Sequence, residues 1–539
     1  MNRLKNYVMI HTHTHDSNPT TIIDSCTKYQ EYIDKAKELG MKAIAFTEHG
    51  GVYHWVSKKL ACDEAKIKYI HAIEAYVAYN SFDKLNRHVC LYAKNWEGVK
   101  EINKLVSKRI DGQHFYRYPR IFLDELKATS DNIIVTSACV GGVLTCDSME
   151  LKGEFLNFMI ENKHRCFLEI QHHLAPVQVE YNKKIIGLSR ATGIPLIVGT
   201  DTHSLDKRKN LGRTILQVAR GIKFDDMEGF DTTLKTYDEL VDLFKEQGID
   251  KEIYLEALEN TNRLADMVED FELDRTYKYP RGLYQNPEKM FDEEIKKGLE
   301  RTGIINYPQE KLQEYLARIE EEKAVYKELD TVDYMLFQQE QVKAVWEGIG
   351  EKCGYSRGSV GGSLIAYLLG ITEMDAVKWK LNFFRFLNPN RQSMADVDLD
   401  WSEKARAYLK EYLFRREGVN AYEIITFNTI ATKGAIRYVC KYLKEREENP
   451  VYYNEDKLCD LYDKSENKIR KEYPELMELV DIIEGTIVSV GSHASGVLVT
   501  TFNFEDYGIT SIKDNPNPVS VLNMKEIDYI SATKFDLLG

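Results

Sequence analysis

Histidine, carboxylate and cysteine residues recur at the ends of short apolar runs through the first 203 positions. His11-Thr12-His13 follows Tyr7-Val8-Met9-Ile10, and Thr47-Glu48-His49-Gly50 follows Ala43-Ile44-Ala45-Phe46. Glu74, His88, Cys139 and Asp201-Thr202-His203 come next. Side chains alternate along a strand, so both imidazoles of the first pair face one way. Imidazoles and carboxylates with a single thiolate suit zinc, manganese or iron. A lone HxH is a common surface feature, whereas six such positions in strand order are not. A second set lies in Asp396-Val397-Asp398-Leu399-Asp400. A period of two puts its carboxylates on one face and Val397 and Leu399 on the other. Neighbouring carboxylates would then sit ~7 Å apart, near enough to bracket two divalent ions ~3.5–4 Å apart. Without metal their repulsion would destabilise the strand. Taken alone, the pattern fits a solvated acidic edge strand equally well. Upstream, Gly354 to Ser363 is rich in glycine and serine and runs straight into Leu364-Ile365-Ala366. Consecutive backbone N–H groups and a helix N-terminus both favour a phosphate there. The loop is neither a Walker A motif nor a GxGxxG fingerprint.

These residues need a scaffold. Up to about residue 270, short apolar runs (also Ile133–Val135, Phe167–Ile170 and Pro195–Val198) alternate with helical stretches. Tyr29, Tyr32, Ile33, Ala36 and Leu39 form one helical stripe that Gly40 is placed to end. Such alternation predicts a parallel sheet or barrel with polar residues gathered at one end. Residues 270–345 read as helical and charge-rich, as do 428–490, and residues 491–539 return to short strands. Lys433, Arg437, Lys441 and Lys444 recur at helical spacing. They suit either a DNA backbone or a solvated charged face.

Composition narrows the class. The 539 residues exceed one hydrophobic core, so two to four domains are expected. With 43% hydrophobic and 29% charged residues the chain reads as globular. A net charge of −13 argues against non-specific coating of nucleic acid, but not against an enzyme with a basic groove and acidic metal sites. The 9 cysteines include no CxxC pair, so neither a zinc ribbon nor a disulfide framework is expected, and a reduced cytoplasmic setting fits. The apolar run before His11 is too short for a signal peptide. Leu364–Ile371 falls far short of the ~20 residues that cross a bilayer.

The N-terminal motifs resemble the PHP (polymerase and histidinol phosphatase) family, whose pattern runs HxH, TDHG, GxExY, an RHL-type histidine, Ser-x-Cys and DxH. The matches here are His11-Thr12-His13, Thr47-Glu48-His49-Gly50, Glu74-Ala75-Tyr76, Arg87-His88, Ser137-Ala138-Cys139 and Asp201-Thr202-His203. An aspartate shortly after the first motif is matched best by Asp24, with Asp16 the weaker alternative. The resemblance implies a distorted (β/α)7 barrel whose metal ligands are His11, His13, Asp24, His49, Glu74, His88, Cys139, Asp201 and His203. The metals would be Zn2+, Mn2+ or Fe2+, and the activity 3′–5′ exonuclease proofreading. Glu48 departs from the family's aspartate.

The later motifs resemble the bacterial C-family replicative polymerases, which couple a GRGS-x-x-GS loop to FxRFLNPxR and PDxDxD. The matches are Arg357-Gly358-Ser359-Val360-Gly361-Gly362-Ser363, Phe384 to Arg391, Asp396-Val397-Asp398 and Lys534-Phe535-Asp536. Ala395, Asn428 and Asn390 depart from the family pattern without removing a catalytic group. The resemblance implies a nucleotidyltransferase-like α+β palm with an inserted helical thumb. Asp396, Asp398 and Asp536 would hold Mg2+, and Gly362, Ser363 and Arg385 would contact the triphosphate, with Arg357 and Arg391 as further phosphate contacts. Lys534 would touch the primer–template. Expected domains are a PHP domain over 1–270, a palm over 271–427 and 491–539, and a thumb over 428–490. Implied partners are primer–template DNA and dNTPs. Family members continue beyond this segment into fingers and C-terminal domains, which implies a second polypeptide and, through it, a sliding clamp and other replisome proteins. A stand-alone PHP phosphoesterase with a remnant palm is the alternative expectation.

Overall fold

A computed structural model describes residues 6–21, 23–222, 229–390, 395–446 and 454–539. Arg391, named above as a phosphate contact, lies outside them. Contacts divide the chain into two units: Met1–Glu272 with Thr426–Gly491 and Glu505–Ser511, and Leu273–Ile425 with Ser492–Phe504 and Ile512–Gly539.

The first unit is built on strands β1 (Ala43–Phe46), β2 (Lys68–Ala78), β3 (Arg87–Ala93), β4 (Phe115–Tyr116), β5 (Tyr118–Phe122), β6 (Ile133–Thr136), β7 (Cys166–Ile170) and β8 (Leu196–Val198). Around the sheet, β1, β2, β3, β6, β7 and β8 are successive neighbours. The extended segment at Val8–Thr12 closes the ring, since Met9 bridges Ile44 and Thr12 bridges Thr202. That makes a seven-membered barrel of the distorted (β/α)7 type. β3 is its antiparallel member, paired that way with both β2 and β6.

Period-two alternation explains how the barrel presents its polar groups. Ile70, Ala72, Glu74 and Tyr76 share one face of β2, as do Tyr92, Cys90 and His88 on β3 and Phe167 and Glu169 on β7. The apolar members fill a core with Val8, Ile10, Ala43, Ala45, Ile134 and Ile197. The polar members lie further along the same faces. Because β3 runs against its neighbours, its ligand candidate His88 lies near the start of the strand, whereas strand ends were expected throughout. Glu74 likewise lies mid-strand, because β2 continues past it to pair with β5.

Helix α1 (Tyr29–Glu38) buries Tyr32, Ile33 and Ala36 and is followed by Gly40 at φ 71°, as the stripe predicts. α2 (Trp55–Ala65) packs on β2 and α3 (Trp96–Ser107) on β3, while α4 (Lys207–Ala219) packs on helices further along the chain. Among their neighbours, His71 is fully enclosed. Its Nε2–H donates to Asn103 Oδ1 at 3.0 Å, and Tyr69 OH donates to its Nδ1 at 3.0 Å. Burial lowers its pKa to about 3. An unfolded chain takes up this proton near pH 6.5 and the folded one does not. Stability from this group is therefore complete above pH 6.5 and falls by ~1.4 kcal/mol per pH unit below it. His71→Gln, which keeps the bond to Asn103, should flatten that slope in urea unfolding between pH 6.5 and 4.

The second unit opens with long helices, including α5 (Gln309–Glu328) and α6 (Val332–Ile349), then the short α7 (Leu364–Leu368). Its strands are β9 (Leu399–Asp400), β10 (Asn420–Thr429, through Ile425), β11 (Ile487–Thr500, from Ser492), β12 (Val519–Asn523) and β13 (Lys534–Leu538). They run in the order β12–β10–β11–β13–β9. Phe535 and Leu537 of β13 and Leu399 of β9 join Tyr334 and Phe337 of α6 in one core.

Residues 426–491 fold with the first unit. Ile436, Val439 and Leu443 of α8 (Thr432–Glu445) and Leu458 of α9 (Glu455–Lys464) share a core with Ile215 and Leu216 of α4. The predicted basic stripe on α8 is internally partnered. Lys433 pairs with Asp463 at 3.1 Å, Arg437 with Asp456 at 3.1 Å and Lys444 with Glu455 at 3.6 Å. Lys441 donates to the Ala219 carbonyl at the end of α4. Such exposed pairs contribute ~0–1 kcal/mol each, but they neutralise a face that the spacing alone leaves open to DNA. All nine cysteines are free thiols. Among the described residues no helix is long and apolar enough to cross a membrane.

Candidate metal centres

Nine predicted ligands lie at the ligand-bearing end of the barrel. Glu74 is the hub: its Oε1 is 3.4 Å from His11 Nε2 and 2.9 Å from His88 Nδ1, and its Oε2 is 3.4 Å from His13 Nε2 and 2.9 Å from His49 Nδ1. Asp201 Oδ1 lies 3.5 Å from His11 Nε2 and 3.3 Å from His13 Nε2. Asp24 is 3.2 Å from His203 Nε2 and 3.7 Å from His49 Nε2. Cys139 Sγ approaches His88 Nδ1 at 3.4 Å. Donor atoms therefore fall into overlapping groups of metal-binding size: His13, Asp24, His49 and His203; His11, His13 and Asp201; His49, Glu74 and His88; and His11, Glu74 and Cys90.

These atoms fit cations better than each other. His13 Nε2, Asp24 Oδ2, His49 Nδ1 and Glu74 Oε2 are buried without a hydrogen bond of good geometry, although His49 Nδ1 and Glu74 Oε2 lie only 2.9 Å apart. Buried polar atoms ordinarily find well-made bonds, so donors left in this state are available to a cation. The charges agree. Burial opposes ionisation of Glu74, yet His88, His49 and His11 hold its acid well below the usual range. Burial would lower His49, but Glu74 and Asp24 raise it to about 9, while burial with His49 and His203 alongside drops His13 to about 4.

Sequence reasoning missed three contributors. Glu169 accepts from His11 Nδ1 at 2.7 Å and is itself held by Thr136 and Gln171. That bond turns the His11 Nε2 lone pair to the cluster, a frequent arrangement behind metal-bound histidine. Gly199 makes the room, since a β-carbon there would lie 1.9 Å from Glu169 Oε1. Cys90 lies 3.8 Å from the His11 ring nitrogens. The available signal was parity: Glu169 shares a face with Phe167, and Cys90 with His88. Asp16 is not at the cluster; it pairs with Lys58 at 2.9 Å and His54 at 2.8 Å.

The second centre lies in the other unit. Ala395, Val397 and Leu399 are buried, and Asp396, Asp398 and Asp400 take the alternate, open side. β13 lies parallel to β9 with Leu537 opposite Leu399, so the register carried back one residue sets Asp536 beside Asp398. Partial burial and the carboxylates of Asp398 and Asp536 raise the Asp396 acid above the usual range. Asp536 Oδ1 is a further buried atom without a partner. Lys534, on the same face of β13, lies 3.3 Å from Asp528 and 3.8 Å from Asp536. Burial works against its charge, but these two anions raise its pKa.

The glycine loop differs from expectation. Gly358, at φ 63°, reaches toward the acidic set, where a β-carbon would lie 3.4 Å from Asp398 Oδ2. Gly362 and Ser363, expected to face a triphosphate, are buried instead. A β-carbon on Gly362 would meet the Asn382 carbonyl at 2.6 Å. Ser363 Oγ donates to Glu322 at 2.7 Å, accepts from Ala366 N–H at 3.0 Å and contacts Tyr326 OH at 2.8 Å. Glu322 also accepts from the N–H groups of Leu364 and Ile365 at 2.9 and 3.0 Å. The N-terminus of α7, predicted as a phosphate seat, is thus filled by a carboxylate of the protein. Arg318 locks the arrangement by donating to Glu322 at 2.7 Å and to the Gly362 carbonyl at 2.8 Å. Arg385 stays exposed, and Arg357 pairs with Asp400 at 2.7 Å.

Comparison with known proteins finds two family matches in succession along the chain. The family model described as "PHP domain" matches residues 10–174, and the one described as "Bacterial DNA polymerase III alpha NTPase domain" matches residues 289–539. The chain is 29% identical over 575 residues to DNA polymerase III subunit alpha of Borreliella burgdorferi, covering 98% of this chain and 48% of that protein. The corresponding protein of Aquifex aeolicus is 28% identical over 606 residues, covering 99% and 51%. That of Helicobacter pylori strain J99 is 27% identical over 604 residues, covering 98% and 48%. The chain spans about half the length of the curated relatives it matches.

Proposed function

We propose, for a chain that carries a PHP domain and the NTPase domain of bacterial DNA polymerase III alpha subunits, two metal-dependent reactions on DNA at two separate centres. The first is template-directed nucleotidyl transfer at Asp396, Asp398 and Asp536, with primer–template and dNTPs as substrates. The second is 3′–5′ hydrolysis of phosphodiesters at the histidine cluster. The observation that carries the reading is the gathering of buried donors that lack well-made hydrogen bonds, at His13, Asp24, His49 and Glu74 in one unit, with Asp536 Oδ1 in the other left likewise beside Asp396 and Asp398.

Divalent ions, Mg2+ at the aspartates and Zn2+, Mn2+ or Fe2+ at the cluster, would stabilise charge on phosphate oxygens and acidify the attacking hydroxyl or water. The protein's own groups do the rest. Asp536 on β13 and Asp396 and Asp398 in the segment leading into β9 would set the positions of the ions. Arg385 offers an exposed guanidinium to the triphosphate, and fork geometry suits it to phosphate oxygens. Lys534 offsets part of the negative charge and reaches toward the primer–template. Glu169 holds His11 in the tautomer that leaves Nε2 free to bind.

Metal removal tests the reading. Dialysis of the full chain against EDTA should abolish release of nucleotides from a single-stranded DNA 3′ end, and added Mn2+ or Zn2+ should restore it. Nuclease activity that persists in metal-free protein would rule out the proposed chemistry at the cluster.

A further inference from the structure

Glu48 is buried beside the cluster, yet neither of its oxygens faces it. Oε1 accepts from Lys58 Nζ at 2.7 Å and Thr14 Oγ1 at 2.6 Å, and Oε2 accepts from Thr14 N–H at 3.0 Å and Ser17 Oγ at 2.6 Å. Four donors on one carboxylate leave no lone pair well placed for a cation. Lys58, itself 2% exposed, supplies the balancing charge and also pairs with Asp16 at 2.9 Å. Ser17 is the link outward. Having donated its proton to Glu48, its oxygen accepts from His49 N–H at 3.2 Å and faces His13 Nδ1 at 3.3 Å. The next neighbour of that nitrogen, Asp24 Oδ2, lies at 3.8 Å, beyond hydrogen-bond reach. A hydroxyl whose proton is committed elsewhere can only accept, so His13 must carry its proton on Nδ1. Nε2 is then left with a lone pair, and it makes no hydrogen bond of good geometry although Asp201 Oδ1 and Glu74 Oε2 lie 3.3 and 3.4 Å away.

We infer that Glu48 is a positioning residue. Acting through Ser17, it fixes the His13 tautomer and turns the Nε2 lone pair onto the metal centre, with Lys58 and Thr14 holding the carboxylate in place. The inference rests on the metal-centre reading above. His11 gets the same treatment directly from Glu169, so each imidazole of the HxH pair is oriented by its own carboxylate. The geometry also gives Glu48 a use for its length: it spans from Lys58 to Ser17 and Thr14, a reach that an aspartate, shorter by one methylene, lacks.

The test is Ser17→Ala, which removes the acceptor with little change in volume. Loss of an outer partner of this kind weakens metal binding by roughly 10–100-fold. Titration of metal-free full chain with Zn2+ or Mn2+ should show that loss. The 15N shifts of histidine-labelled metal-free protein should show His13 leaving the pure Nδ1–H form. Glu48→Gln keeps the side-chain shape but offers the four donors one acceptor oxygen, and should move both readouts the same way. Should Ser17→Ala fail to fold, Glu48→Gln carries the test. A folded variant with wild-type affinity and wild-type His13 tautomer would overturn the inference. Wild-type protein that binds neither ion at the cluster would instead overturn the metal-centre reading.

Discussion

Asp396→Asn will gain stability and lose function. In metal-free protein Asp396 faces Asp398 and Asp536, and its raised acid pKa records partial burial and their repulsion. Removing one of three like charges should stabilise the apo fold by ~0.2–1 kcal/mol, the usual size of a neighbouring charge pair on a sheet. Ions at such sites supply several kcal/mol of charge stabilisation. At ~1.4 kcal/mol per tenfold, losing about 4 kcal/mol slows primer extension by on the order of 10^3-fold. Mn2+ affinity at the aspartates should fall with it, while 3′-end hydrolysis at the cluster is spared. Thermal unfolding in EDTA, a Mn2+ titration and paired extension and nuclease assays read the three effects. Unchanged extension would remove Asp396 from the catalytic set.

Glu74→Gln should produce the complementary loss. Glu74 lies within 3.4 Å of His11, His13, His49 and His88, so the amide keeps the shape but removes a charge that all four share. Nuclease activity should drop by on the order of 10^3-fold, on the same scale of several kcal/mol, with extension retained. The metal-free variant should also lose stability in a pH-dependent way. His49 is raised to about 9 in the fold against burial, chiefly by Glu74. A raised folded pKa contributes stability that is complete below the unfolded value near 6.5 and lost as pH rises through 9. The deficit of the variant should therefore be largest near pH 6.5 and close above pH 9. A deficit that grows with pH would contradict the assigned charge balance.

Local periodicity made much of this legible. Alternation alone predicted that Val397 and Leu399 would be buried with Asp396 and Asp398 on the opposite side. A stripe and a glycine placed α1 within a residue of its observed end. What failed to show was long-range pairing. Glu322 sits in a run of three glutamates on α5, and although helical spacing puts it on the face of Tyr315, Ile319 and Tyr326, nothing local says which helix N-terminus it caps. The same is true of the acids on α9 that neutralise Lys433, Arg437 and Lys444. Glu48 read as a near-match to a ligand motif, because its fourfold partnership with Thr14, Ser17 and Lys58 depends on α2 folding back over the first motif. Glu169 stood in plain view inside the apolar run Phe167–Ile170, where a charged residue pointing inward was itself a signal.

Two sets of carboxylate and imidazole donors built around divalent ions should show themselves in anomalous diffraction from crystals of the full chain grown with Mn2+. One group of peaks is expected within coordination distance of His11, His13, His49, Glu74 and Asp201, and another between Asp396, Asp398 and Asp536. Saturating Mn2+ with no peak at the three aspartates, or with Asp536 turned away from Asp396 and Asp398, would contradict that expectation.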